Sequence, residues 1–168
     1  MPQPRAGGPG LSPDDVVVRA PPVFWASSPA DLPHRVTPVY VEIRNQSRRP
    51  IGVHFADLRL VADGVAYAAL PPWAITGTVR EPLLLGRPTL GGGMGGRPVT
   101  VVIPLPTDDM LELGLREGVV EPGGAIAGFV YFRILPRHVG QLALEADLID
   151  AATGAALGRA VVRLRVVG

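Results

Sequence analysis

Apolar and polar residues alternate along most of this chain with a period of two, not the 3.6 of a helix. Residues 36–44, VTPVYVEIR, set Val39, Val41 and Ile43 against Tyr40, Glu42 and Arg44, which is a strand with one buried face. A polar turn, NQSRRP, follows at 45–50. Residues 51–63, IGVHFADLRLVAD, then resume the alternation with Leu58 and Leu60 inward and Arg59 outward. Asp63-Gly64 is a strong hairpin signal, and VAYAAL returns from it. Near the end, QLALEADLID (141–150) sets Leu142, Leu144, Ala146 and Leu148 against Ala143, Glu145 and Asp147. RAVVRLRVV (159–167) sets Val162, Leu164 and Val166 against Arg159, Arg163 and Arg165. Shorter strands are expected at 14–20, 99–104 and 125–134. About seven to nine short strands with half-polar faces predict an all-β antiparallel sandwich.

Two stretches break the pattern. Residues 1–13 are rich in Pro and Gly, poor in apolar side chains, and expected to be a flexible lead-in to one domain spanning 14–168. Residues 71–98 form a Pro/Gly-rich insertion with no sustained period. After it, TDDMLELGLREG predicts one short helix over about 107–117. Thr107 would be its N-cap, Asp108 and Asp109 suit the positive end of the dipole, and Gly118 would terminate it. Met110, Leu111 and Leu115 would form its apolar stripe.

Composition narrows the chemistry. The 168 residues carry 16 Lys plus Arg, all of them Arg, against 15 acidic residues, a net charge of +1 that predicts no general attraction to nucleic acid. A chain without Lys has no Schiff base and no Walker-type phosphate lysine, and one without Cys has no disulfide or thiolate site. The Arg, Ala, Gly, Pro and Val excess matches the codon bias of a GC-rich genome. No apolar run reaches the roughly 18 residues of a membrane span, so membrane association is expected only through a partner or a removed leader. The first residues lack the apolar core of a signal peptide, which leaves two addresses open: cytoplasmic, or exported with a leader removed.

The stretch PVYVEIRNQSRRPIGVHFADLRLVADGVAYAALPP resembles the first half of the immunoglobulin-like domains of unknown function found in bacterial lipoproteins and secreted proteins. Asn45, Ser47, Asp57 to Leu60, Gly64 and Tyr67 hold the matching places. LREGVVEPGGAIAGFVYFRI is similar to the second half, with Pro122 and Gly123 in its turn and Gly128, Tyr131 and Phe132 on the strand that follows. The resemblance covers roughly residues 36–70 and 115–167. It implies an immunoglobulin-like sandwich in the periplasm or at the outer membrane, and it brings no catalytic residues. The lipoprotein Cys is absent from this chain.

Candidate sites are few. TLGGGMGGRPV (89–99) matches G-x-G-x-x-G at Gly91, Gly93 and Gly96, but Pro98 and a β-branched run follow where a dinucleotide fold needs a helix. A packing contact or a surface excursion is expected there. His34, His54 and His138 are scattered, two of them beside Arg, and no metal or cofactor is expected. The four Ser residues lie in turns without a nucleophile elbow, and the adjacent acidic pairs suit capping better than acid–base work. The chain therefore reads as a non-enzymatic binding or accessory module whose partner is another protein. The candidate contact residues are Phe24, Trp25, Trp73, Leu84 and Met94 in the Pro-rich loops, with Arg159, Arg163 and Arg165 on the last strand. Loop tryptophans can be interface anchors or seals on the end of a sandwich, and the Arg stripe can be a docking face or a solvated one. The alternative function is binding of a small ligand or cell-wall carbohydrate on Trp25 or Trp73.

Overall fold

The computed structural model of the chain describes residues 15–86 and 96–166. Eleven strands occur among them: β1 (Val16–Arg19), β2 (Val36–Asn45), β3 (Ile51–Val53), β4 (Leu58–Ala62), β5 (Val65–Leu70), β6 (Gly77–Gly86), β7 (Gly96–Leu105), β8 (Gly118–Val120), β9 (Ala125–Arg133), β10 (Leu142–Asp150) and β11 (Ala156–Leu164). The fold is all-β with antiparallel strand pairing, as the alternation predicted. One sheet half runs β1-β2-β9 and the other joins β4, β10, β3 and β8, with β11 also on β10. Strand β5 links them, pairing β4 through Ala62↔Val65 and β9 through Leu70↔Tyr131. Asp63 and Gly64 adopt φ of 46° and 83° at the β4–β5 turn, the left-handed pair that a tight hairpin requires.

The two halves face each other across a first core. Val41, Ile43, Val130 and Phe132 on one side meet Ile51, Leu58, Leu60, Leu144 and Ala146 on the other. Leu58 and Leu60 point in, as their spacing predicted, and Arg59 points out.

A second core lies on the opposite face of β2 and β9. Val36 and Tyr40 on β2 share this face with Phe129 and Tyr131 on β9, Tyr40 directly opposite Phe129 and Pro38 opposite Tyr131, and a further layer covers it. Trp25, Leu32, Ile75, Val79, Leu105 and Met110 supply that cover, drawn from the segment before β2, the segment after β5, the β6–β7 hairpin and the helix. Covering both faces makes β9 read as an almost unbroken apolar run, AIAGFVYF, before Arg133.

Two expectations are corrected. The insertion at 71–98 holds regular structure, because β6 pairs with β7 along ten positions from Gly77↔Leu105 to Gly86↔Gly96. That hairpin carries the strand count beyond nine. The helix, α1 (Asp108–Leu113), is half the expected length and ends at Gly114, not Gly118. Thr107 does cap it, its hydroxyl accepting from the Met110 N–H at 3.3 Å. Beyond Leu113 the chain turns extended, and Gly114 bridges to Phe129. The expected apolar stripe accordingly divides: Met110 enters the second core, Leu115 enters the first, and Leu111 is exposed.

Candidate interaction surface

The loop before β2 is built from the inside out. Trp25 is 9% exposed, packs edge-on against Phe129 and Tyr131 at centroid separations of 5.2 and 6.1 Å, and donates its indole N–H to the Pro29 carbonyl at 2.8 Å. It is a seal. The neighbouring backbone is tied to α1 twice: the Ser28 N–H donates to Asp109 Oδ2 at 2.9 Å, and the Thr107 hydroxyl donates to the Ser28 carbonyl at 2.7 Å. The Tyr131 hydroxyl donates to the Met110 carbonyl at 2.9 Å in the same core. Burial, followed by the nearby Asp109 charge, pushes the Tyr131 phenol well above its ordinary range, so it stays a neutral donor.

With Trp25 inside, the exposed aromatics are Phe24, beside it in sequence, and Trp73 of the segment after β5. Phe24 is 75% exposed beside the half-exposed Val23. Trp73 is 60% exposed, with one edge resting on buried Phe55 at 5.8 Å. Of the two tryptophans expected as a sugar-stacking platform, only Trp73 is exposed. Met94 lies outside the described residues, and Leu84 is placed on β6 with its side chain outside them.

The arginine face also divides. Arg159 on β11 and Arg59 on β4 flank Asp147 and Glu145 of β10 in a four-charge network. Arg59 Nε meets Glu145 Oε2 at 2.8 Å and its Nη2 meets Asp147 at 3.0 Å, while Arg159 Nε meets Asp147 Oδ1 at 2.7 Å. The hydrogen bond from Arg159, then that from Arg59, holds the Asp147 carboxyl below the usual carboxylate range. The hydrogen bond to Glu145 is the main reason that Arg59 holds its proton more tightly still. This network neutralises itself, and only Arg163 and Arg165 of the stripe remain as exposed cations outside it.

Sequence reasoning missed the role of Asn45. It is fully buried, its Nδ2 donating to the Arg49 carbonyl at 2.7 Å and the Val120 carbonyl at 2.9 Å. Its Oδ1 accepts from the Ser47 N–H and hydroxyl at 3.0 and 2.6 Å. One side chain thus knots the β2–β3 turn to β8. Its being the one Asn of the chain, at the end of a strand, was the available signal. Gly128 is likewise structural: a Cβ there would lie 2.5 Å from the Leu115 nitrogen.

His34, His54 and His138 are exposed and lie on different elements, and among the described residues no three His, Asp or Glu side chains gather as a metal group. The glycine run joins β6 to the antiparallel β7, so a strand begins at Gly96 where a phosphate cradle would need a helix. Residues 87–95 themselves lie outside the described ones. No helix among the described residues is long and apolar enough to cross a membrane.

No protein-family model matches the chain, and no curated protein matches it. Among solved structures, the fold is similar to that of a Bacillus subtilis protein, ycdA, described as a "putative lipoprotein", at a TM-score of 0.51 and 13% identity. The match covers 92% of this chain and 38% of that one. The chain therefore spans well under half the length of the protein it resembles, and the likeness is one of fold.

Proposed function

We propose that this chain is an immunoglobulin-like, non-enzymatic binding or accessory module of a bacterial envelope assembly. The observation that carries the reading is the pair of outward aromatics, Phe24 and Trp73, on the Pro-rich segments that the second core holds in place. Large rings exposed on anchored loops lose little conformational freedom on binding, which makes them efficient contact residues. The envelope address is supported by the fold likeness to the Bacillus subtilis protein and by the sequence resemblance over residues 36–70 and 115–167. The immunoglobulin-like assignment is supported by two facing antiparallel sheet halves and by structural duties at the resembling positions Asn45 and Gly128.

The test is affinity isolation of the tagged full-length protein from envelope and soluble fractions of its own bacterium. The expected result is a stoichiometric protein partner in the envelope fraction, lost with a Phe24→Ser, Trp73→Ser double variant that folds normally. Recovery from the soluble fraction with no stoichiometric partner would overturn the proposal.

A further inference from the structure

The layer that buries Val36, Tyr40, Phe129 and Tyr131 covers only part of the outer face of β1, β2 and β9. The remainder is a groove of about 240 Å³ lined by Val17 and Arg19 of β1, Glu42 and Arg44 of β2, and Ala125 and Ala127 of β9. Register places these on one face in two rows, Arg19–Glu42–Ala127 and Val17–Arg44–Ala125. The alanine methyls leave the floor low while longer side chains rise from β1 and β2. Arg19 and Arg44 are exposed, and neither forms an ion pair with a described residue, even though Arg19 stands directly opposite Glu42. Among the described residues, the groove holds two guanidiniums outside any ion pair against one carboxylate.

Its size and charge geometry select the occupant. The volume is below the roughly 300–1,000 Å³ of ordinary small-molecule sites, so it suits side chains of an extended segment better than a cofactor. Arg19 and Arg44 are diagonal neighbours across an antiparallel pair, a relation that puts them about 7–8 Å apart. Carboxylates at positions i and i+2 of an extended chain are separated by about 6.6 Å. One acidic side chain can therefore meet each arginine while both point the same way.

We infer that this groove binds an extended acidic segment of a protein partner, with Asp or Glu at alternate positions, through Arg19 and Arg44. Guanidinium–carboxylate hydrogen bonds supply the recognition. Glu42, directly opposite Arg19 and two positions along β2 from Arg44, disfavours a third, adjacent carboxylate and sets the spacing preference. The site is separate from Phe24 and Trp73, so it can fail while the envelope-module reading stands, and the reverse.

The experiment uses fluorescence anisotropy of the purified full chain at low salt with a labelled peptide, Ser-Glu-Ser-Glu-Ser-Glu-Ser. Comparison peptides carry Gln for Glu, or the same glutamates in one block. The expected result is saturable binding of the alternating peptide, at least five-fold tighter than the block peptide, with none by the Gln peptide. Arg19→Gln, Arg44→Gln should weaken it ten-fold or more and Glu42→Gln should tighten it. Arg163→Gln, Arg165→Gln should leave it unchanged. Should the double arginine variant fold poorly, Ala127→Leu, which fills the floor without altering charge, serves as the second probe and should also weaken binding. No binding by the wild-type chain, equal binding after Arg19 and Arg44 are replaced, or displacement by an equal concentration of inorganic phosphate would overturn the inference.

Discussion

Replacing Gly128 with Ala should be among the most damaging single-methyl additions in the molecule. Gly128 lies on β9 opposite Val41, where the Gly114–Leu115 backbone presses directly against it. An added Cβ would sit 2.5 Å from the Leu115 nitrogen and 2.7 Å from both the Gly114 carbonyl carbon and Leu115 Cα. These are backbone atoms, so no rotamer change relieves the clash. Restoring ordinary contact moves the segment by about 1 Å, which breaks the 2.8 Å hydrogen bond from the Leu115 N–H to the Phe129 carbonyl and lifts the Leu115 side chain from the first core. An unsatisfied buried donor costs roughly 1–3 kcal/mol and overpacking a further 1–3 kcal/mol, for a combined loss of about 3 kcal/mol or more. At this chain length that corresponds to a fall of about 6–12 °C in Tm. Urea unfolding followed by circular dichroism measures it. Gly52→Ala is the control, since its Cβ would find nothing nearer than 3.6 Å and should change stability by less than about 0.5 kcal/mol. A Gly128→Ala midpoint equal to wild type, or a larger loss for Gly52→Ala, would refute the packing argument.

Other consequences are as direct. Asn45→Ala strands the Ser47 N–H and the Val120 carbonyl, while the Arg49 carbonyl keeps the Ser47 hydroxyl at 3.1 Å, and should cost about 3 kcal/mol by urea unfolding, with Asn45→Asp worse because it sets oxygen against carbonyl oxygens. Acrylamide should quench two tryptophan populations: Trp73→Phe removes the accessible one and leaves the protected emission of Trp25. Asp147 and Asp150 both titrate below the usual carboxylate range in the folded chain, Asp147 mainly through Arg159 and Asp150 mainly through the Ala152 N–H. Their contribution to stability is complete above the unfolded value of about 3.9 and disappears as pH falls through the lower folded values. Arg159→Gln, which removes a half-exposed partner, should lower stability by less than about 1 kcal/mol at pH 6 and have almost no effect at pH 2, as read from thermal melts across pH.

Much of the first core could be read from the sequence, because period two and one hairpin signal specify which side chains face inward. Leu58, Leu60, Leu144 and Ala146 are buried where their spacing placed them, and Asp63-Gly64 turns the chain as its residue types require. The second layer was not legible in the same way. Its burial comes from contacts between distant segments, such as Ser28 with Asp109, 81 residues apart. The alternation in β6 is also masked by Pro82 and by the run Leu83, Leu84, Leu85, so a paired strand reads as a loop. Trp25 and Phe24 are adjacent and alike in type, yet one is a seal and the other is exposed, a distinction fixed only by the Phe129 and Tyr131 rings beneath. The end of the helix was misplaced because Gly114 and Gly118 are both plausible terminators. The Gly114 contact with β9 decides between them.

Site-specific photocrosslinking in the organism of origin shows whether the anchored aromatic loops make the proposed contact. A photoreactive phenylalanine analogue would replace Phe24 or Trp73, with His138, exposed on the loop between β9 and β10, as the control position. One discrete envelope-protein adduct is expected from positions 24 and 73 and none from 138. Equal, diffuse labelling from all three positions, or no adduct from 24 and 73, would rule out a contact through these loops.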